Sequence, residues 1–189
     1  MILPIVAYGH PVLKKVAEPI GKDYPDLEKL IADMYDTLAS SEGVGLAAPQ
    51  INRSIRLFIV DANPFYPDYP EAQGFKRTFV NPQIIETFGD DVHFKEGCLS
   101  LPGLSEDVVR KDKVRLHYFD ENFEEHEAVF EGVCSRIVQH EYDHLEGHVY
   151  IDRLAQMRKM LLGSKLRNIA DGKCKADYRM TFYKKKRNY

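Results

Sequence analysis

Residues 140–144 read HEYDH, and the fold is expected to form around this pentapeptide. It lies in a stretch, 133–146, whose residue pattern is helical, and Gly147 follows as the residue expected just past a helix end. On a helix the two histidines lie one turn apart on one face, where both imidazoles can hold one metal ion. Glu141, next to the first of them, can take a proton from water and later return it. The pattern predicts metal-dependent hydrolysis, and a helix with two core histidines is the alternative.

A third protein ligand is expected, because two imidazoles alone do not make a tight catalytic metal site. No glutamate follows Glu146, which removes the downstream ligand that thermolysin-like peptidases use. The metzincin pattern HExxHxxGxxH also fails, since Tyr150 occupies its last position. The remaining candidates are three downstream carboxylates and one upstream thiol: Asp152, Asp171, Asp177 and Cys98.

Cys98 lies in a compact segment, EGCLS at 96–100, that is followed by Pro102 and Gly103. A thiolate at this position would be a strong, soft metal ligand. The other cysteines, Cys134 and Cys174, are interpreted as small apolar residues. An odd number of cysteines without zinc-ribbon spacing does not indicate a disulfide framework, so a cytoplasmic location is predicted.

The length of 189 residues suits one domain, and 44% hydrophobic with 29% charged residues is typical of a folded chain. No segment has the roughly 20 consecutive apolar residues of a membrane-spanning helix, and no basic leader precedes the apolar start, so no membrane partner is expected. Apolar spacing predicts a first helix from Pro25 to Leu38 and a third helix over 154–169, with Leu154, Met157, Leu161 and Leu162 on its apolar side. Segments rich in β-branched and aromatic residues predict strands at 55–60, 78–86 and 114–119, and a further strand ending near Phe130. The expected fold is α+β, with mixed or antiparallel strands around a central helix that carries HEYDH.

Charge is distributed unevenly along the chain. Residues 158–189 contain 11 basic and 2 acidic residues, although the whole chain has a net charge of -3. We therefore expect a single catalytic domain over 1–170 and a basic tail over 171–189. The tail is interpreted as a solvated end, and the alternative is electrostatic contact with ribosomal RNA without sequence-specific recognition of nucleic acid.

Three separated blocks resemble, in the right order, the signature motifs of the peptide deformylase family. They are GVGLAAPQ at 43–50, EGCLS at 96–100 and QHEYDH at 139–144. The opening residues 2–16 are also similar to the start of that family, so the resemblance covers roughly residues 1–165. The departures are a long loop at 61–76 and the region beyond Arg167.

The resemblance implies that Cys98, His140 and His144 bind one divalent metal ion. It points to Fe2+, while the ligand types themselves also suit Zn2+, Ni2+ or Co2+. It further implies that the side-chain amide of Gln50 and the backbone N–H of Leu99 stabilise the oxyanion that forms on the carbonyl oxygen.

The implied reaction is hydrolysis of the formyl group from N-formylmethionyl nascent polypeptides, with release of formate. Gly43 and Gly45 are expected to let the chain pass close to the substrate backbone. Two residues on the His140 side of the helix, together with one from the first block, resemble the family's pocket for the methionine side chain; ordinary core packing is the alternative for the helix pair. The three pocket residues are Val44, Val133 and Ile137.

Some assignments stay open at the level of sequence. Asp143 could pair with a cation near the metal, with Arg110 as its partner and Glu42 as a second acid for that arginine. A metallopeptidase that cleaves ordinary peptide bonds is the second enzyme class, although it lacks its downstream ligand. A non-catalytic metal-binding or ribosome-binding homologue is the third class, and it would tolerate Glu141→Gln.

Overall fold

Five antiparallel strands form the main sheet of the computed structural model, which describes residues 1–183. In spatial order they are β2 (Gly45–Ala47), β3 (Leu57–Asp61), β4 (Lys76–Gly97), β5 (Ser105–Phe119) and β6 (Glu125–Glu131). A second sheet consists of two short parallel strands, β1 (Ile5–Val6) and β7 (Met180–Thr181). The prediction of mixed or antiparallel strands is confirmed, since the main sheet is antiparallel and only the small sheet is parallel.

Three α-helices accompany the sheets: α1 (Leu27–Ser40), α2 (Gly132–Leu145) and α3 (Gln156–Ala170). Helix α2, which carries HEYDH, packs against β2, β3, β5 and β6. Its residues from Val133 to Leu145 are all buried except Tyr142, as expected for a helix covered on most sides. The predicted α+β fold is confirmed, with the histidine-bearing helix packed on the sheet.

The β4–β5 hairpin is much longer than the sequence pattern predicts. The predicted strand ended at Glu86, but β4 continues to Gly97, and β5 begins at Ser105 rather than near Val114. The polar stretch around Gly89 is typical of a turn, yet it forms an irregularity in the ladder between Phe88 and Asp91. The extended hairpin places its turn, which contains Cys98, beside α2.

The predicted apolar side of α3 is right for Leu162 and wrong for Met157 and Leu161. Met157 and Leu161 are 78% and 73% exposed, whereas Leu162, Leu166 and Ile169 are buried. The buried residues follow one another by three or four positions, so the helix does present one apolar stripe to the core, rotated from the predicted one.

The loop at 61–76 packs against the start of α2. Glu71 accepts a hydrogen bond of 3.0 Å from the backbone N–H of Val133. Gly132 has a φ of +56°, and an added Cβ there would lie 3.1 Å from the Glu71 carboxyl carbon. The carboxylate therefore caps one of the unpaired N–H groups at the helix start.

Residues 171–183 fold back onto the domain through the pairing of β7 with β1. The basic run Lys184–Arg187 lies outside the described residues. Among residues 1–183, no helix has the length and apolar character needed to cross a bilayer.

Candidate metal centre

The structure brings the predicted thiol and both predicted imidazoles together. Cys98 follows directly after β4, while His140 and His144 lie one turn apart on α2. The Cys98 Sγ lies 3.4 Å from the His144 Nε2, and one ligand atom from each of the three residues lies within 4.8 Å of the others. Asp152 and the later aspartates are absent from this cluster in the described part of the chain. The third ligand position is thus filled from upstream.

The chemistry of these donors fits a divalent metal ion. Burial alone would raise the pKa of Cys98, but the adjacent His144 and His140 lower it to about 5, which favours the thiolate that binds metals. By contrast, burial raises the pKa of Cys134 to about 11, so that residue remains a thiol. The Nδ1 of His140 contacts the Glu96 carboxylate at 2.8 Å, which leaves its Nε2 for a metal. One thiolate and two imidazoles match a catalytic ligand set that retains an open position.

Glu141 lies in the same cavity with one carboxylate oxygen unpaired. Its Oε2 is buried and has no hydrogen-bond partner within residues 1–183. Burial raises the pKa of Glu141 to about 7, although the neighbouring imidazoles oppose the shift. A carboxyl group that titrates near neutrality is suited to accept a proton and return it. The geometry is that of a proton-transfer group beside a metal site.

The Glu141 side chain occupies the space that a side chain at position 45 would take, and Gly45 has none. A Cβ added at Gly45 would lie 2.8 Å from both Cγ and Cδ of Glu141, too close for an undisturbed contact. We expect Gly45→Ala to lower kcat by about 10²-fold, because the carboxylate must move from its position. The measurement is steady-state turnover of a formylated peptide together with metal content, which should not change. Gly163→Ala, where the nearest atom is 3.7 Å away, is the control and should keep full turnover.

Gln50 is held so that its amide nitrogen points towards the thiol. Its Oε1 accepts a hydrogen bond of 2.9 Å from the backbone N–H of Ala47, which fixes the amide orientation. Its Nε2 then lies 3.4 Å from the Cys98 Sγ and 3.3 Å from the Ser100 Oγ. The backbone N–H of Leu99 donates to no group in the described part of the chain. Both Gln50 and Leu99 line the cavity beside the ligands Cys98 and His140.

A cavity of about 670 Å³ opens over the metal ligands. Val44 and Ile137 line it, whereas Val133 is 3% exposed and packs in the core behind it. Gly43 and Gly45 also line it, and an added Cβ at Gly43 would meet the ends of Leu side chains, not open space. The predicted pocket residues therefore divide into a lining set and one supporting core residue.

A buried chain of ion pairs lies behind His140. Glu96 accepts hydrogen bonds from Arg110 and Arg136, and Arg110 also donates to Asp143 at 2.8 Å. Arg153 donates to both carboxylate oxygens of Asp143 at 2.6 Å. The predicted pairing of Asp143 with Arg110 is confirmed, but the second acid is Glu96 and not Glu42, which lines the cavity.

Sequence reasoning did not predict that Glu96 supports the metal site, although its position in the sequence indicated this role. It stands two residues before Cys98, a spacing that places both side chains on the same face of an extended segment. Arg136, one turn before His140 on α2, carries the same kind of signal. Only the fold shows that these residues meet.

The Asp143 carboxylate predicts an acid-dependent loss of stability. Burial would raise the pKa of Asp143, but Arg153 and Arg110 outweigh it and hold the pKa below its usual value. A depressed pKa stabilises the fold above the ordinary aspartate pKa of about 4, and that contribution is lost as the pH falls through the folded value. We expect Asp143→Asn to lower the free energy of unfolding by about 2 kcal/mol at pH 7.

The measurement is urea unfolding of wild type and Asp143→Asn across a pH series. The difference between them should stay constant from pH 7 to about 5 and shrink below about pH 4. A difference that does not change down to pH 3 would contradict this role of the carboxylate.

An α+β fold with one thiolate, two imidazoles and a buried carboxyl group of raised pKa around an open cavity defines a metal-dependent hydrolase. A family model described as polypeptide deformylase matches residues 2–160. The chain belongs to the polypeptide deformylase family, as the three sequence blocks indicated. Enzymes of this family are metal-dependent hydrolases that remove the formyl group from the amino termini of nascent polypeptides, which favours this activity over the peptidase and non-catalytic alternatives.

Individual relatives agree with this assignment. The chain is 48% identical over 189 residues to a peptide deformylase of Christiangramia forsetii, covering 96% of each protein. It is 47% identical over 194 residues to a peptide deformylase of Flavobacterium psychrophilum, covering 99% of this chain and 100% of the relative. The crystal structure of a peptide deformylase from Legionella pneumophila is similar with a TM-score of 0.78 and 34% identity, over 92% of this chain and 98% of that one.

Proposed function

We propose that this chain deformylates N-formylmethionyl nascent polypeptides by holding one divalent metal ion with Cys98, His140 and His144. The observation that carries the proposal is the meeting of these three ligands beside a cavity that Cys98, His140, Glu141 and Gln50 line. The bound ion polarises the formyl carbonyl and makes a water molecule more acidic. All other steps fall to side chains and backbone groups of the protein.

The ion in the cell is proposed to be Fe2+, in line with the family resemblance. The donor set accepts Zn2+, Ni2+ or Co2+ as well, because a thiolate with two imidazoles suits each of them and availability outweighs affinity in the cell. The Glu96 carboxylate contacts the His140 Nδ1 and so favours the tautomer with its proton on Nδ1, which leaves Nε2 for the ion.

Glu141 is proposed to move the proton. Its unpaired Oε2 accepts a proton from the attacking water and then delivers it to the nitrogen of the departing amine. The bond between the formyl carbon and this nitrogen breaks, so that formate and a free amino terminus are released. A pKa near 7 allows the carboxyl group to serve in both directions.

Gln50 and Leu99 are proposed to stabilise the negative charge on the former carbonyl oxygen. The Gln50 amide is already oriented by its bond with Ala47, and the Leu99 N–H is available. Donors fixed before the reaction need no reorganisation when charge develops, which lowers the barrier.

The cavity is proposed to hold the methionine side chain. Val44 and Ile137 provide apolar lining, and Val133 supports Ile137 from the core. Gly43 and Gly45 line the same cavity, where the substrate backbone is proposed to lie, and the space that their Cβ atoms would take is filled by Leu38, Leu99 and Glu141.

An anaerobic assay with three peptides tests the proposal. The purified protein is given the same sequence with a formyl-methionine, an acetyl-methionine or an unblocked methionine at its amino terminus. We expect formate from the first peptide and no cleavage of the other two. Cleavage of the unblocked peptide at an internal bond would instead support the metallopeptidase alternative.

We further propose that the protein acts in the cytoplasm and that its basic end increases contact with ribosomal RNA. The division into a catalytic domain at 1–170 and a tail at 171–189 remains part of this proposal. Because residues 171–183 pack onto the domain, the informative truncation removes residues after Tyr183, which include four basic side chains.

The truncated chain should bind ribosomes more weakly at low salt and with a shallower salt dependence, because fewer phosphate contacts release fewer counterions. Its turnover of a short formyl peptide should equal that of the full chain. Equal ribosome binding by both forms in a co-sedimentation assay would remove the ribosome proposal.

A further inference from the structure

The segment after α3 returns to the metal centre. Its backbone carbonyls at Arg179 and Thr181 accept hydrogen bonds of 2.8 and 2.9 Å from Ile5 and Ala7, which anchors β7 to β1. The next residue along, Tyr8, donates its N–H to the carbonyl of Ser100 at 2.8 Å. The returning segment and the turn that carries Cys98 are therefore both hydrogen-bonded to residues 5–8.

Tyr178 extends from this segment to the turn. Its hydroxyl donates a hydrogen bond of 2.7 Å to the carbonyl oxygen of Leu99. The side chain is half-buried, packs with Leu99 against the core cluster beneath α1, and lines the catalytic cavity. The residue lies beyond the 2–160 stretch that the family model matches.

We propose that Tyr178 is a positioning residue that holds the Leu99 peptide in the orientation needed to stabilise the oxyanion. This inference rests on the proposed function, because it assigns a support to the Leu99 N–H donor.

Backbone geometry explains how the bond acts. On its amino-terminal side Leu99 is joined to Cys98, whose position the metal would fix. On its carboxyl-terminal side the Leu99 carbonyl is fixed by the Tyr178 hydroxyl. The Leu99 N–H has no acceptor within residues 1–183, and it shares a planar peptide group with the Cys98 carbonyl, which accepts a hydrogen bond of 2.8 Å from Leu101. Because Leu99 is held on both sides, its backbone N–H has little freedom to rotate.

Other bonds support the turn, among them those from the Gln50 amide nitrogen to the Cys98 Sγ and the Ser100 Oγ. Leu101 donates its N–H to the Cys98 carbonyl at 2.8 Å, and Tyr8 holds Ser100. These bonds keep the turn folded when the Tyr178 hydroxyl is removed. The expected consequence is a loosened donor rather than a collapsed site.

The test is Tyr178→Phe, which keeps the aromatic ring and removes only the hydroxyl. We expect kcat for a formyl-methionyl peptide to fall on the order of tenfold with KM within about twofold, since the donor acts in the transition state and not in substrate binding. Metal content and far-UV circular dichroism should match wild type. Tyr183→Phe, in the same segment but 45% exposed, is the matched control and should keep wild-type kcat.

A second readout is independent of turnover. Loss of the bond should change the NMR shifts of the Leu99 carbonyl carbon and the Ser100 amide nitrogen, which share the affected peptide group. Tyr183→Phe should leave both shifts unchanged.

The outcomes separate this inference from the proposed function. If wild type releases no formate, the proposed function fails. If wild type is active and Tyr178→Phe equals it in kcat, the positioning role is overturned. A rise in KM alone also overturns it, because the tyrosine would then contact substrate without supporting Leu99.

Discussion

Glu141→Gln lowers kcat for a formyl-methionyl peptide by about 10³-fold and leaves the metal content unchanged. Glutamine has nearly the same shape as glutamate but cannot accept a proton from water at its amide. The unpaired Oε2 of Glu141 and its pKa of about 7 indicate that this atom is free for that transfer. Anaerobic formate release and metal analysis of the same sample measure both quantities.

Glu42→Gln is the matched control, since Glu42 also lines the cavity but forms none of the metal-centre contacts in the described residues. It should keep kcat within about twofold of wild type. Retained turnover by Glu141→Gln would show that another group moves the proton. Metal binding without formate release in both wild type and variant would instead agree with a protein that only binds metal.

Cys98→Ala removes both metal binding and activity. The substitution deletes one of three ligands, so we expect metal affinity to fall by more than the roughly 10- to 100-fold that loss of an outer supporting residue costs. The two histidines lower the pKa of Cys98 although burial would raise it, so the native site offers a thiolate. Competition with a chelator of known affinity, followed by metal analysis, measures the change.

Cys174→Ser is the control for this experiment. Cys174 is also a free, half-buried cysteine, and burial raises its pKa, so it offers a thiol and not a thiolate. Its replacement should leave one ion per chain and full turnover. Equal metal affinity in wild type and Cys98→Ala would mean that the sulfur is not a ligand.

The histidine-bearing helix could be predicted from sequence because its evidence is local. Spacing within 133–146 and the glycine that follows define α2, and the two histidines then share a face by helix geometry alone. The third ligand was reached only by exclusion of downstream groups and by family resemblance. No local pattern indicates that Cys98 lies beside histidines more than 40 residues later in the chain.

The long β4–β5 hairpin could not be predicted, since the alternating buried positions at the start of β5 include the charged Glu106 and Arg110, and β4 beyond Glu86 is largely polar and exposed. An exposed strand of this kind lacks the period-two alternation that marks a half-buried strand. The Gly89 region also resembles a turn, yet the ladder absorbs it as an irregularity. The hairpin is nevertheless what brings the Cys98 turn to α2.

Contacts between distant side chains were the least accessible to sequence reasoning. Arg110 and Asp143 were paired as a hypothesis, but the Glu96 carboxylate between Arg110 and His140 depends on the tertiary fold. The same holds for Tyr178, whose segment was interpreted as part of a solvated tail. These residues support the metal ligands only because the tertiary fold brings them into contact.

X-ray absorption of the anaerobically loaded, wild-type protein tests the proposed coordination most directly. The structure predicts one sulfur and two imidazole nitrogens around the ion, with the sulfur signal missing from Cys98→Ala. A wild-type spectrum with nitrogen and oxygen ligands only would contradict the proposed site and the mechanism built on it.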